Sequence, residues 1–152
     1  MPYATNPSDQ GRLWFEVLGD GPAVIMHHGF SRSLLEWHLL YTATLAQDFR
    51  LILMDARGHG RSSKSTHAEA YDMGNRVADV CSVLDAAGIA AAHYVGYSMG
   101  GQVGFGMARY ARERLLSLTV GGMHPWPPDA DGADRSGFAA SLAQGIEAHV
   151  AR

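Results

Sequence analysis

The chemistry in this sequence concentrates in the stretch His93-Tyr94-Val95-Gly96-Tyr97-Ser98-Met99-Gly100-Gly101. A short apolar run stops at Gly96, a serine follows in the pattern G-x-S-x-G, and a helix-like segment comes next. A serine on a sharp strand-to-helix turn has its hydroxyl pushed into a strained, exposed position, where it can act as a nucleophile. Such a turn needs glycines at both ends, because a Cβ there would strike the neighbouring helix or strand. The following helix aims its first N–H groups at the serine, where they stabilise a developing negative charge. Glycine and serine are common, so five matching residues can also arise as an ordinary turn. The strand before and the helix after them favour the nucleophile, Ser98.

A nucleophilic serine needs a base. The sequence contains eight histidines. His124 lies just past the last predicted strand, on the rim that carries Ser98, and reads either as the base or as a surface-loop histidine. Asp129 and Asp131 follow it and either orient it or serve as turn formers in a proline-rich loop. His27, His38, His67 and His93 occupy no position that recommends them, and His149 lies near the C-terminus, where exposure is expected. The histidines lack paired ligand spacing, so neither a metal nor a cofactor is expected.

The elements that must position these residues can be read from hydrophobic spacing. Met1 to Gly11 is polar and expected to be loosely attached. Arg12 to Leu18 alternates as a strand, and Asp20-Gly21-Pro22 is turn chemistry. Ala23 to His27 and Arg50 to Asp55 are continuous apolar runs, the pattern of strands buried on both faces. Leu34 to Phe49 shows helical spacing. Asp72 is placed to cap a helix running to Ala87, with Val77, Val80, Cys81 and Leu84 inward and Gly88 beyond its end. Then come a strand over Ala92 to Val95, the serine turn, a helix to about Arg114, and a strand over Leu115 to Val120. Strands alternating with helices predict an α/β fold: an open, mostly parallel sheet with helices on both faces. Ligands in such sheets bind beyond the carboxyl ends of the strands, and His28, Asp55, Ser98 and Gly122 all lie there.

Composition narrows the classes. The 152 residues, 47% hydrophobic with a formal charge of −3, fit one globular domain with a substantial core. No long basic or acidic block points to nucleic acid or a membrane surface. Cys81 is the single cysteine, which excludes an internal disulfide. With no apolar run of the roughly 20 residues that span a bilayer and no signal-peptide core, the expected location is cytoplasmic.

His28-Gly29-Phe30, then Asp55-Ala56-Arg57-Gly58-His59-Gly60-Arg61-Ser62, then Gly96-Tyr97-Ser98-Met99-Gly100 resemble, in order and spacing, the α/β-hydrolase superfamily in its serine-nucleophile branch. The resemblance covers the N-terminal part of that fold. It implies Ser98 as nucleophile, with the backbone N–H groups of Met99 and Phe30 as the oxyanion hole. A serine here, in place of an aspartate, speaks against the epoxide-hydrolase and haloalkane-dehalogenase branches, which work through a carboxylate. The Asp55 to Ser62 loop is implied to be structural, with Arg57 hydrogen-bonded locally; His28 is implied to pack behind the oxyanion loop, and His59, in the glycine loop, to be structural. Full members supply an acid and then a histidine after the serine, and the sequence stops before either position. The expected organisation is thus a single truncated domain over 1–152, with a sheet core over 1–120 and a proline-rich loop plus terminal helix over 121–152.

Two functions remain open at this level. One is a serine hydrolase of carboxylic esters or lactones, acting on a small-molecule ester through an acyl-enzyme on Ser98, with His124 as the candidate base. The other is a non-catalytic binding or interaction module, or an inactive fragment. A homodimer is expected through the last strand, Leu115 to Val120, or through the terminal helix, Asp134 to Arg152, whose Phe138, Leu142, Ile146 and Val150 recur in steps of four. The competing arrangement is a monomer whose last helix folds over its own edge strand.

Overall fold

The computed structural model describes residues 3–124. Within them, β1 (Tyr3–Thr5), β2 (Arg12–Leu18), β3 (Ala23–His27), β4 (Arg50–Met54), β5 (Ala92–Tyr97) and β6 (Leu115–Gly121) form one sheet in the order β1-β2-β4-β3-β5-β6. The β3–β4, β3–β5 and β5–β6 pairs are parallel, and β1–β2 and β2–β4 are antiparallel. The mostly parallel α/β architecture read from the sequence is the one observed.

Alternation along the strands divides the core between two faces, because successive side chains point to opposite sides. Ile25, Ile52, Met54 and Tyr94 join Val77, Val80, Leu84, Val103 and Met107 beneath α3 (Met73–Ala86) and α4 (Met99–Tyr110). Val24, Met26, Leu51 and Leu53 face the other way, toward Leu34 and Trp37. These belong to the segment around α1 (Leu35–Leu40) and α2 (Thr42–Leu45). The single helix expected over Leu34 to Phe49 is broken at Tyr41, where φ is −132°. The break lets Trp37 and then Leu45 and Phe49 pack on the same sheet face, which a straight helix would carry past.

Helix α3 ends as its sequence predicts. Asp72 accepts a hydrogen bond from the Asn75 N–H at 2.7 Å, a cap worth ~1 kcal/mol. At the other end Gly88 has φ +71° and the Ile89 N–H reaches back to the Leu84 carbonyl at 2.9 Å. Helix α4 stops at Tyr110 and a short 3₁₀ turn, Arg112–Arg114, leads into β6.

The N-terminal segment corrects its expectation. Tyr3–Thr5 is a paired strand in register with Arg12 to Trp14, and Ala4 is buried. The Asn6 side chain, fully buried, donates to Asp79 Oδ1 at 2.7 Å and to the Asn75 carbonyl at 3.1 Å. A polar segment is fixed here by the partners that the Asn6 amide finds on α3 and the Asp9 carboxylate finds in Arg57, a device hydropathy does not register.

Among the described residues β6 pairs only with β5, leaving its other edge open. Beside it an apolar groove of about 450 Å³ runs between Val24, Met26 and Val95 on the floor and Trp37, Tyr41 and Phe49 on one wall. No helix of the described residues is long and apolar enough to cross a membrane. The proline-rich loop from Pro125, with Asp129 and Asp131, and the helix expected over Asp134 to Arg152, with His149, lie outside the described residues.

Candidate active site

Strand β5 delivers the chain to Ser98, which adopts φ +51° and ψ −111°, one of two non-glycine residues with positive φ among those described. That conformation is costly for an L-residue, and such strain persists only where the surroundings impose it. The surroundings here are specific. The Ser98 N–H donates to the Gly121 carbonyl of β6 at 2.8 Å, and the Ser98 carbonyl accepts from the Gln102 N–H at 3.0 Å, opening α4. The turn closes so tightly that a Cβ on Gly96 would stand 2.5 Å from the Gly100 carbonyl oxygen and 2.8 Å from the Gly101 nitrogen. The Tyr94 hydroxyl donates to that same Gly100 carbonyl at 2.8 Å, tying strand to helix from within the core. Ser98 itself is half-buried, while Tyr97 before it is exposed and Met99 after it is buried.

The loop leaving β3 comes up against this turn. A Cβ on Gly29 would lie 3.7 Å from Ser98 Cβ and 3.3 Å from the Tyr97 ring, so the loop passes close over the serine turn. Met99 shares a small apolar cluster with Ala56 and Tyr71, and Phe30 packs on it. The structure thus brings Phe30 up to the Ser98–Met99 turn, although the two segments are far apart in sequence. His124 is exposed and lies three residues past Gly121, whose carbonyl holds the Ser98 N–H.

Behind the loop stands a group of buried imidazoles. His28 is the best determined. The Ala56 N–H donates to its Nε2 at 3.0 Å, which requires the proton to be on Nδ1, and Nδ1–H donates to the Gly29 carbonyl at 2.7 Å. The Gly29 carbonyl and the Phe30 N–H belong to one trans peptide, so gripping the oxygen aims the N–H the opposite way. Burial pushes the His28 pKa down to about 4, against the opposing pull of the Gly29 carbonyl. His27, fully enclosed, has Nδ1 directed at the His28 carbonyl at 3.2 Å, and burial holds it well below its ordinary range, with the charges of His28 and Arg76 adding to the effect.

These neutral histidines make acid stability a measurable consequence. In the unfolded chain His28 titrates near its ordinary 6.5 and in the folded chain at about 4. The unfolded state therefore binds the proton first. The stabilisation is complete above pH ~6.5 and is lost as pH falls toward 4. For His28 alone the loss is on the order of 3 kcal/mol. Urea midpoints measured from pH 7.5 to 4 are expected to fall steeply across that window, and His28→Gln is expected to flatten part of the slope. A midpoint independent of pH there contradicts the buried, neutral assignment.

The loop after β4 is held by its own polar groups. Asp55 Oδ1 accepts from the Leu34 N–H and Oδ2 from the Arg61 N–H, each at 2.9 Å, so both carboxylate oxygens serve the backbone. The Ser62 hydroxyl donates to the Asp55 carbonyl at 2.6 Å. Arg57 departs from the local role implied for it. Its guanidinium crosses to Asp79 on α3, at 2.5 Å from Nε and from Nη2, and to Asp9 at 2.7 Å. It thereby ties the β4 exit to α3 and to the N-terminal segment. Arg76 on the same helix is buried and donates from Nη1 to Gln102 Oε1 at 3.0 Å in the second turn of α4. Sequence reading missed Asp9, Arg76 and Asp79. The available signal was two charged residues on the helix face that also carries Val77 and Val80. Among the described residues no group of three or more His, Cys, Asp or Glu side chains is arranged as a metal site.

Comparison with known proteins places this geometry. Residues 22–143 match the family described as the alpha/beta hydrolase fold. The bifunctional epoxide hydrolase 2 of Mus musculus is 30% identical over 141 residues, covering 86% of this chain and 26% of that protein. The bifunctional esterase/perhydrolase DCH of Acinetobacter calcoaceticus is 35% identical over 123 residues, covering 79% of this chain and 44% of that one. A solved epoxide hydrolase from an endophytic Streptomyces superposes with a TM-score of 0.76 at 30% identity, over 90% of this chain and 40% of that one. The chain spans less than half the length of these proteins. With the serine turn after β5, the loop after β3 packed against it and the family match running through both, the chain belongs to the α/β-hydrolase family.

Proposed function

We propose that this chain carries the nucleophile and oxyanion hole of a serine hydrolase acting on carboxylic esters or lactones through an acyl-enzyme on Ser98. The observation that carries the reading is the strained, half-buried Ser98 on its closed turn, with the Gly29 loop so near that a Cβ added there would stand 3.7 Å from the Ser98 Cβ. In this mechanism the Ser98 hydroxyl attacks the ester carbonyl carbon while its proton passes to a base. The carbonyl oxygen becomes an oxyanion held by the N–H groups of Met99 and Phe30, on the order of 3 kcal/mol for each donor. The alcohol departs with a proton, and water releases the acid and restores the serine. His124 is the proposed base, because it follows the strand end that holds Ser98.

Similarity to epoxide hydrolases does not carry over the substrate. A serine opening an epoxide would form an ether, which water does not cleave under these conditions, whereas acyl transfer leaves a hydrolysable ester. The test is labelling with a fluorophosphonate probe, mapped by mass spectrometry, alongside turnover of 4-nitrophenyl acetate and of styrene oxide. Labelling at Ser98 with ester turnover and no epoxide turnover is expected. An unlabelled serine with no ester turnover supports the non-catalytic module instead.

With His124 as the base, His124→Gln is expected to lower kcat for 4-nitrophenyl acetate by roughly 10²-fold or more, the usual scale of general-base assistance. An unchanged kcat returns His124 to a surface role.

The partner we infer is a second copy of the chain, paired through the edge of β6 that no described strand covers. An uncovered edge strand is a template for strand addition, and a twofold axis closes the assembly. Light scattering at low micromolar concentration is expected to give twice the 16.4 kDa chain mass. A clean monomer rules this out.

A further inference from the structure

We propose that His59 is a positioning residue for the oxyanion hole, holding Phe30 from the glycine loop through the Phe30 carbonyl. The inference rests on the serine-hydrolase reading above and extends it to a residue in no contact with the reacting atoms.

The backbone of Phe30 lies between two imidazoles. On its N-terminal side His28 grips the Gly29 carbonyl at 2.7 Å, and that peptide carries the Phe30 N–H. On its C-terminal side His59 Nε2 meets the Phe30 carbonyl, which belongs to the peptide carrying the Ser31 N–H. Both peptides flanking Phe30 are therefore held, which fixes its φ and ψ and with them the direction of its N–H. The two rings support each other edge to face, with centroids 5.1 Å apart, and the Phe30 ring meets His59 at 5.8 Å. Each imidazole is anchored in turn to the loop after β4, His28 by the Ala56 N–H and His59 by the Arg57 carbonyl at 3.0 Å. The glycine loop is thus the foundation on which the oxyanion loop is set.

His59 differs from His28 in one respect that makes the proposal testable. Both of its ring nitrogens face carbonyl oxygens, Arg57 O from Nδ1 and Phe30 O from Nε2. A neutral imidazole has one N–H, so either tautomer leaves a lone pair opposite a carbonyl, and the imidazolium satisfies both. The grip on Phe30 is therefore linked to the proton on His59. The charged and titratable groups around it are His27 and His28 from the β3 exit, Asp55 from the β4 exit and Arg76 from α3. Burial holds the His59 pKa below its ordinary value, against the two carbonyls and Asp55, which favour the proton, while Arg76 adds to the depression. At neutral pH the ring is neutral, and its titration lies on the acid side of 6.5.

The experiment follows the Ser31 amide, which shares a peptide with the Phe30 carbonyl, by ¹H–¹⁵N NMR from pH 7.5 to 5. It compares the wild type with His59→Gln and His59→Leu, and measures kcat and KM for 4-nitrophenyl acetate in each. In the wild type the Ser31 shift is expected to follow the His59 ring titration, and in both variants to be flat. His59→Leu is expected to lose about tenfold in kcat with KM within about twofold, as displacement of one donor implies. His59→Gln, whose side-chain amide can donate to Phe30, is expected to keep kcat within about threefold. A Ser31 shift indifferent to His59 titration in the wild type, or full kcat in His59→Leu, overturns the proposal. Should His59→Leu fail to fold, the wild-type titration and the glutamine variant still decide. A wild type with no Ser98-dependent turnover but a titrating Ser31 shift would sink the hydrolase reading and the catalytic role of His59 with it, leaving the clamp itself standing. Normal turnover with a flat Ser31 shift removes the clamp alone.

Discussion

Ser98→Ala is expected to abolish fluorophosphonate labelling and to reduce 4-nitrophenyl acetate turnover by at least about 10²-fold. The fold should be indifferent. Alanine retains the Cβ and removes only a hydroxyl, and none of the hydrogen bonds that build the turn uses that hydroxyl: the Ser98 N–H goes to Gly121 and its carbonyl to Gln102. A second substitution separates function from architecture. At φ +51° the serine pays for a conformation that glycine adopts freely, so Ser98→Gly is expected to raise stability by about 1 kcal/mol while also removing activity. A residue that weakens the fold yet is needed for turnover is the pattern expected of a nucleophile. Esterase activity persisting in Ser98→Ala preparations free of contaminants would refute the acyl-enzyme mechanism.

The ease with which this site reads from the sequence has a physical origin. Glycine is demanded wherever a Cβ has no room, so the closed turn around Ser98 leaves a fixed-spacing trace at Gly96 and Gly100. Buried parallel strands leave apolar runs and the half-buried antiparallel β2 leaves an alternation, and the bounds of β2 and β3 match these patterns residue for residue. The Asp72 cap and the Gly88 terminator are equally local, each set by a backbone requirement of one residue. What escaped is long-range and polar. Asn6 and Asp79 are 73 positions apart, and nothing near either residue announces the other. The resemblance implies a local role for Arg57, and nothing in its own loop points elsewhere. Its carboxylate partners come from α3 and the N-terminal segment. Histidine is the hardest case. Its role follows from which ring nitrogen faces a donor and which a carbonyl, and that is decided by Ala56 and Gly29 for His28, and by Arg57 and Phe30 for His59.

Gly100→Ala tests whether the turn is as closed as its spacing implies, and the expected loss is about 4 kcal/mol or more. Methyl insertion into a packed interior typically costs ~1–3 kcal/mol when side chains can yield. Here the added Cβ would lie 2.7 Å from the His27 carbonyl carbon and 2.8 Å from His27 Nδ1, with the carbonyl oxygen closer still. That obstacle is the backbone of β3, paired on one side to β4 and on the other to β5, and it cannot turn aside as a side chain would. Relief requires α4 to lift from the sheet. Lifting α4 strains the Tyr94 hydrogen bond to the Gly100 carbonyl and moves the Met99 N–H off the position it is proposed to hold for the oxyanion. Gly88→Ala provides the contrast. No atom lies within 4 Å of a Cβ at Gly88, but its φ is +71°, so only local torsion is charged, roughly 1–2 kcal/mol. Thermal melts should place Gly88→Ala a few degrees below the wild type. Gly100→Ala should fall roughly 10 °C or more below it, at the ~2–4 °C per kcal/mol expected for a chain of this size. Equal shifts for the two variants would mean that the elbow has room the structure denies it. A larger shift for Gly100→Ala accompanied by loss of Ser98 labelling ties the close approach of α4 to β3 directly to the geometry at Ser98.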